Sequence, residues 1–151
     1  MQPRISQPSL YKQCPRLVKH LTALGDVPEN AALPAELVHL IRLRCSQLNQ
    51  CGFCQKMHAD EARADGERQA RLDVLPAWRE LSCFTEQERA ALAWAEALTL
   101  ISQKEIDDAT FQAAVDAFGE SGLIELTTVI LQINSWNRIA VSFHFQPDIS
   151  S

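Results

Sequence analysis

Leu43-Arg44-Cys45-Ser46-Gln47-Leu48-Asn49-Gln50-Cys51-Gly52-Phe53-Cys54-Gln55-Lys56-Met57-His58 is the stretch on which the reading of this chain turns. Its second half is a CxxC pair followed four residues later by a histidine. On a helix, Cys51, Cys54 and His58 fall at i, i+3 and i+7, so all three project from one face. Two thiols one turn apart can close a small disulfide, and an imidazole beside them can take a thiol proton. That combination points to thiol redox chemistry.

A thiol attacks only as its thiolate, and an unperturbed cysteine is mostly protonated at neutral pH. Asn49-Gln50 reads as a break between helices, which sets Cys51 near a helix N-terminus and its positive dipole end. His58 lies one turn beyond Cys54, within reach of a direct or water-mediated hydrogen bond. Upstream, Glu36 and His39 sit one turn apart on the helix that runs into the motif. A carboxylate behind an imidazole would fix its tautomer and help it accept a proton. The thiolate could then attack a hydroperoxide, giving a sulfenic acid that the second cysteine resolves, or it could attack a partner's disulfide. Helix-dipole logic favours Cys51 as the attacking thiol, and proximity to His58 favours Cys54.

Zinc is the competing reading, since two thiolates and an imidazole are good ligands. A structural zinc site wants a fourth ligand, and none is spaced for it; Cys45 or His39 could serve only if two helices fold back on each other. A chance pairing of buried cysteines is the third reading.

Outward from the motif, helical periodicity runs through most of the sequence and nothing alternates convincingly as a strand. Residues up to about Pro8 read as a loose arm. A first helix is expected over much of Leu10 to Leu24, started or bent by Pro15 and ended by Gly25. Pro34 suits the first turn of a second helix carrying Leu37, Leu40, Ile41, Leu43 and Leu48. The third holds the CxxC segment and stops near Gly66, and Pro76 marks a short helical turn. Thr85 with Glu88 is a capping-box pattern ahead of Ala90 to Ile101. Asp107 or Asp108 caps a helix ending at Gly119, and Ser121 caps the last, Gly122 to about Phe143. The expectation is an all-α protein: an arm over residues 1–8 and one helical domain over residues 9–151.

The 151 residues carry a net charge of −5 without acidic runs, which argues against nucleic acid and against an anionic membrane surface as partners. No apolar stretch approaches the roughly 18–20 residues that span a bilayer. The first residues lack the apolar core of a secretory signal, so the protein reads as cytoplasmic. Five cysteines, an odd number, do not look like a secreted disulfide framework. Cys14, Cys45 and Cys83 read as small buried hydrophobes. Trp136, Asn137 and Arg138 read as packing and subunit contact.

At these residues the sequence resembles a known family. Leu43 to His58 is similar to the "LRxSQxNGCxxCxxxH" signature of AhpD-like alkylhydroperoxidases, of the carboxymuconolactone decarboxylase superfamily. Ala62-Arg63…Gly66-Glu67 resembles the family's "AR…GE", and Thr85 to Leu92 its "fTerEraaL" helix start. Ile133-Asn134-Ser135-Trp136-Asn137-Arg138-Ile139-Ala140 resembles the "iNaWNRia" segment of its small members. The resemblance implies an all-helical fold assembled into trimers or hexamers, with no bound cofactor, and a peroxidase cycle through Cys51 and Cys54 with His58 in the proton relay. It implies an organic hydroperoxide as substrate and, as electron donor, a lipoyl- or thioredoxin-like dithiol or a peroxiredoxin. This chain departs from the pattern at three points. His39 stands where well-studied members have a glutamate, twelve residues before the first cysteine, with Glu36 one turn earlier. Phe53 occupies a position that some members fill with a second histidine, and Gln50 replaces the usual glycine. The expectation is that His39 acts as the upstream base, oriented by Glu36. The alternative from another class is a non-enzymatic helical oligomer whose CxxC–His group binds zinc or senses oxidants.

Overall fold

A computed structural model describes residues 1–150 as helices and turns, with no strand among the described residues. The helices are α1 (Gln7–Gln13), α2 (Pro15–Leu24), α3 (Ala35–Leu48), α4 (Gly52–Ala64), α5 (Gln69–Val74), α6 (Glu86–Thr99) and α7 (Asp108–Phe143). Two 3₁₀ turns, Glu29–Ala31 and Leu75–Glu80, complete the chain of elements. α3 packs against α4, α6 and α7, and α6 lies along α7. Between them Leu40, Ile41, Leu92, Leu126, Ile130 and Ile133 are fully buried. Truncating any one of these to alanine removes about 2–5 kcal/mol, because a packed interior relaxes only partly around a cavity.

The local signals explain most helix ends. The capping box of α6 is formed in both directions: the Glu88 amide donates to Thr85 Oγ1 at 3.1 Å, and the Thr85 amide to Glu88 Oε2 at 2.8 Å. Asp107 caps α7 by accepting the Thr110 amide at 2.7 Å. α7 is broken where the sequence places a helix stop: Gly119 takes φ 70° and ψ 174°, a conformation open to glycine, so the run to Phe143 is two helical segments joined across a kink.

The N-terminus differs from the expected loose arm and single first helix. Ser6 caps α1 through the Ser9 amide at 3.2 Å, with Pro8 in the first turn, where a missing N–H costs nothing. Cys14, forced out of helical geometry by the proline after it, separates α1 from α2. The Arg4 amide donates to Phe143 O at 2.8 Å, so the arm is tied to the end of α7. A second apolar cluster forms there, in which Leu10, Ala140 and Phe145 pack around Cys51 and Cys54.

Candidate active site

The break between α3 and α4 positions the cysteines. Asn49 ends α3, and Gln50 takes φ 54°. The Cys51 amide then bonds back to Ser46 O at 2.9 Å, and Cys51 becomes the N-cap of α4. Gln50 occupies the place where the resembled signature has glycine, and the left-handed backbone is the physical reason for a glycine there. Side-chain amides, that of Asn137 fully buried, hold the corner in place. Asn49 Nδ2 donates to both Asn134 Oδ1 and Asn137 Oδ1 at 2.9 Å, and Asn137 Nδ2 donates to Ser46 Oγ at 3.0 Å. Asn137 is thus an internal tie between α7 and the motif, not a subunit contact.

Cys51 and Cys54 form a disulfide with 5.3 Å between their Cα atoms, and each residue is 1% exposed. The Cys54 amide points at Cys51 Sγ from 3.3 Å. The free amides of α4's first turn therefore face the sulfurs, an arrangement that favours thiolate over thiol once the bond is reduced.

Cys54 and His58 line one cavity of about 380 Å³, walled by Tyr11, Phe53, Met57, Trp136 and Phe145. Cys51 opens instead on a smaller recess of about 240 Å³ beside His144 and Pro147. His58 is 6% exposed. Its Nδ1 meets Glu61 Oε2 at 3.0 Å, while Nε2 is buried without a partner. With the Nδ1 proton given to Glu61, Nε2 carries the free lone pair. The Glu61 carboxyl lies below the usual carboxylate range, held down first by the His58 hydrogen bond against the opposing effect of burial, with further help from the Arg42 and His39 charges.

Sequence reasoning missed Glu61. Of the residues it named, the structure brings Cys51, Cys54 and His58 together, leaves His39 near enough for its charge to act on Glu61, and sets Glu36 apart. His39 Nε2 pairs with Asp65 Oδ2 at 2.6 Å, so its carboxylate partner is not Glu36. Glu36 is exposed and lines a different recess, with Asp65 and Arg71. Glu36 and Asp65 come from α3 and from the end of α4, and only the packing of the two helices decides which of them reaches His39. Trp136, read as packing, lines the cavity. Among the described residues no group of three or more His, Cys, Asp or Glu side chains is arranged to hold a metal ion in this disulfide-bonded form.

Comparison with known proteins agrees with this architecture. Residues 15–97 match the sequence profile of the Carboxymuconolactone decarboxylase family. The uncharacterized protein YdfG of Bacillus subtilis is 34% identical over 134 residues, covering 89% of this chain and 91% of its own. A crystal structure from Agrobacterium tumefaciens superposes with a TM-score of 0.90 at 36% identity, covering 99% of this chain and 100% of that one. That protein is of unknown function and is described as a candidate AhpD antioxidant defence protein. A peroxidase-related protein from Ralstonia eutropha with an alkylhydroperoxidase AhpD core superposes at 0.79 over 93% of this chain and 75% of its own; at 19% identity the likeness is one of fold. The chain belongs to the carboxymuconolactone decarboxylase family. Within that family its fold is the AhpD-like helical one. No helix among the described residues is long and apolar enough to cross a membrane.

Proposed function

We propose that the protein is a thiol peroxidase that reduces organic hydroperoxides through the Cys51–Cys54 pair and is recharged by a dithiol donor. The observation that carries this reading is the shared cavity: Cys54 and His58 line the same space, and His58 Nε2 is buried with no partner among the described residues while Glu61 holds Nδ1. In the reduced protein, His58 Nε2 takes the Cys54 proton. The Cys54 thiolate attacks the outer hydroperoxide oxygen, the O–O bond breaks, and the alkoxide leaves as the alcohol by accepting that proton from His58. Cys54 is then a sulfenic acid. Cys51 attacks its sulfur, the hydroxyl departs with the Cys51 proton as water, and the disulfide forms. Two electrons and two protons have passed from the thiols to the hydroperoxide. The donor's two thiols restore the pair by exchange, becoming a disulfide themselves.

In this reading Cys54 attacks and Cys51 resolves, because Cys54 faces the cavity that holds the base. Glu61 takes the orienting role that the sequence suggested for Glu36 and His39. The test is a thiol count by alkylation and intact mass, before and after one equivalent of cumene hydroperoxide and again after a dithiol. Loss of two hydrogens mapped to Cys51–Cys54, reversed by the dithiol, is expected. In Cys51→Ser, Cys54 should be trapped as a sulfenic acid, and in Cys54→Ser no oxidation should follow. Thiols that stay unreactive in the wild type end the peroxidase reading.

A further inference from the structure

Four buried side-chain polar atoms lack a hydrogen-bond partner among the described residues, and three belong to residues that line the cavity beside Cys54: His58 Nε2, Arg42 Nε and Gln132 Oε1. Buried polar groups are rarely left unpaired; of these three, Arg42 Nε is an N–H donor, whereas Gln132 Oε1 and His58 Nε2 are acceptors, so Arg42 is the one of them that can meet an anion. His58 Nε2 is accounted for by the thiol chemistry; Arg42 and Gln132 are not.

Arg42 projects from α3 and spends one N–H, Nη2 to Gly25 O at 2.8 Å, of the five that a guanidinium carries. It forms no direct ion pair within the described residues, and Glu61 and Asp26 reach it only as more distant charges. Gln132, on α7, is 8% exposed. The two groups converge: a Cβ added at Gly25 would stand 3.0 Å from Gln132 Nε2 and 3.2 Å from Arg42 Nη2, which is a reason for glycine there. Through Gln132 Nε2 and the guanidinium, two sets of N–H donors stand side by side and match one carboxylate; the nearby Asp26 and Glu61 charges act against any anion and more strongly against one with two charges.

We propose that Arg42 and Gln132 form a carboxylate subsite, and that the preferred substrates are apolar hydroperoxides carrying a carboxylate at the end away from the O–O bond. The apolar part lies against Phe53, Met57 and Trp136, and the hydroperoxide meets Cys54. The substrate class rests on the peroxidase reading; the affinity of the subsite does not.

The experiment uses two matched pairs of probes. Cumene hydroperoxide is compared with its para-carboxylated form in turnover with a dithiol, and the two corresponding alcohols are titrated as inert ligands into oxidised protein by calorimetry. A charge-assisted contact in a partly desolvated cavity should favour the carboxylated member of each pair by about tenfold or more. In Arg42→Gln the ratio should fall toward one, whatever happens to the absolute rates, and Arg42→Lys should keep part of it. Arg16→Gln removes the same charge from an exposed site outside the cavity and should leave the ratio as in the wild type. Equal binding of the two alcohols by the wild type, or a preference that survives Arg42→Gln, overturns the subsite without needing any variant to be active. If the alcohol preference holds but neither hydroperoxide turns over, the subsite stands and the peroxidase reading falls. Turnover of both hydroperoxides at equal kcat/KM, with equal alcohol binding, does the reverse.

Discussion

Replacing Glu61 with glutamine tests the relay at its least anticipated member. The substitution keeps size and shape, and an amide oxygen can still accept the His58 Nδ1 proton, so the loss is mainly one of charge. The Glu61 side chain is 44% exposed, so water screens the pair despite the 3.0 Å contact. An exposed ion pair contributes at most about 1 kcal/mol. If that is the amount by which the carboxylate favours the imidazolium formed when Cys54 loses its proton, oxidation should slow by roughly fivefold, at tenfold per 1.36 kcal/mol. Glu61→Ala removes the acceptor as well and should cost more, on the order of a hundredfold, the lower end of general-base catalysis. The assay is stopped-flow tryptophan fluorescence of reduced protein mixed with excess hydroperoxide, with Trp136 in the cavity wall as the reporter. Because Glu61 lies below the ordinary carboxylate range, its charge persists as pH falls through about 5, and no acid limb in that window should come from it. Rates for both variants that superimpose on the wild type from pH 5 to 9 would refute the assignment of Glu61 as the group that orients His58.

Three further outcomes follow from the same geometry. Burial pushes the Glu96 carboxyl up, but hydrogen bonds from Trp78 Nε1 (2.8 Å), Arg79 and Arg44 Nε (2.9 Å) outweigh it and hold it below the usual range. A depressed carboxylate contributes stability that is present above its unfolded pKa and lost as pH falls through the folded one. Glu96→Gln should therefore cost about 2 kcal/mol in urea unfolding at pH 7, and the gap to the wild type should narrow below about pH 4; the same gap at pH 3 and pH 7 would contradict this. Cys45 is fully buried, and burial raises its thiol to about 11 despite the Thr99 hydroxyl at 3.5 Å, whereas Cys83 is exposed. Iodoacetamide at pH 8 should label Cys83 in the native protein and leave Cys45 untouched until denaturant is added, as read by peptide mapping. Gln50→Gly removes a left-handed strain of about 1–2 kcal/mol but adds about 0.5–1 kcal/mol of backbone entropy to lose, so a net gain near 1 kcal/mol is expected in the same urea assay. A loss of stability would mean that the exposed Gln50 side chain makes contacts that outweigh the strain.

The fold was legible where one residue type has one local consequence. Thr85 with Glu88, Asp107, Gly25 and the alternation of Leu37, Leu40, Ile41 and Leu43 each act within a turn or two of chain, and each matches a cap, stop or buried face in the structure. Gly119 was legible too: the backbone leaves helical geometry where the stop was expected, and the segment that follows buries Gly122 and Leu123. The fold was less legible at the N-terminus. Residues up to about Pro8 were read as a loose arm, but a proline fits the first turn of a helix, and Ser6 supplies the cap that the reading overlooked.

The site divides along the same line. Cys51, Cys54 and His58 share one face because helical spacing requires it, and residues 51–58 are enough to state that. Glu61 obeys the same rule, three residues beyond His58, and was open to the same argument. Glu36 and His39, one turn apart on the preceding helix, obey that rule as well, and spacing alone does not rank the two pairs. Arg42 and Gln132 stand directly before the two motif segments that begin at Leu43 and Ile133, yet nothing in those segments pairs them: they are 90 residues apart, and their meeting beside Gly25 depends on how α2, α3 and α7 cross. Chemistry confined to one helix can thus be read from spacing, whereas a subsite assembled from three helices needs the packed molecule. Selectivity among hydroperoxides, if it resides in Arg42 and Gln132, would then vary among relatives whose CxxC segments are alike, because the two properties are encoded in different parts of the chain.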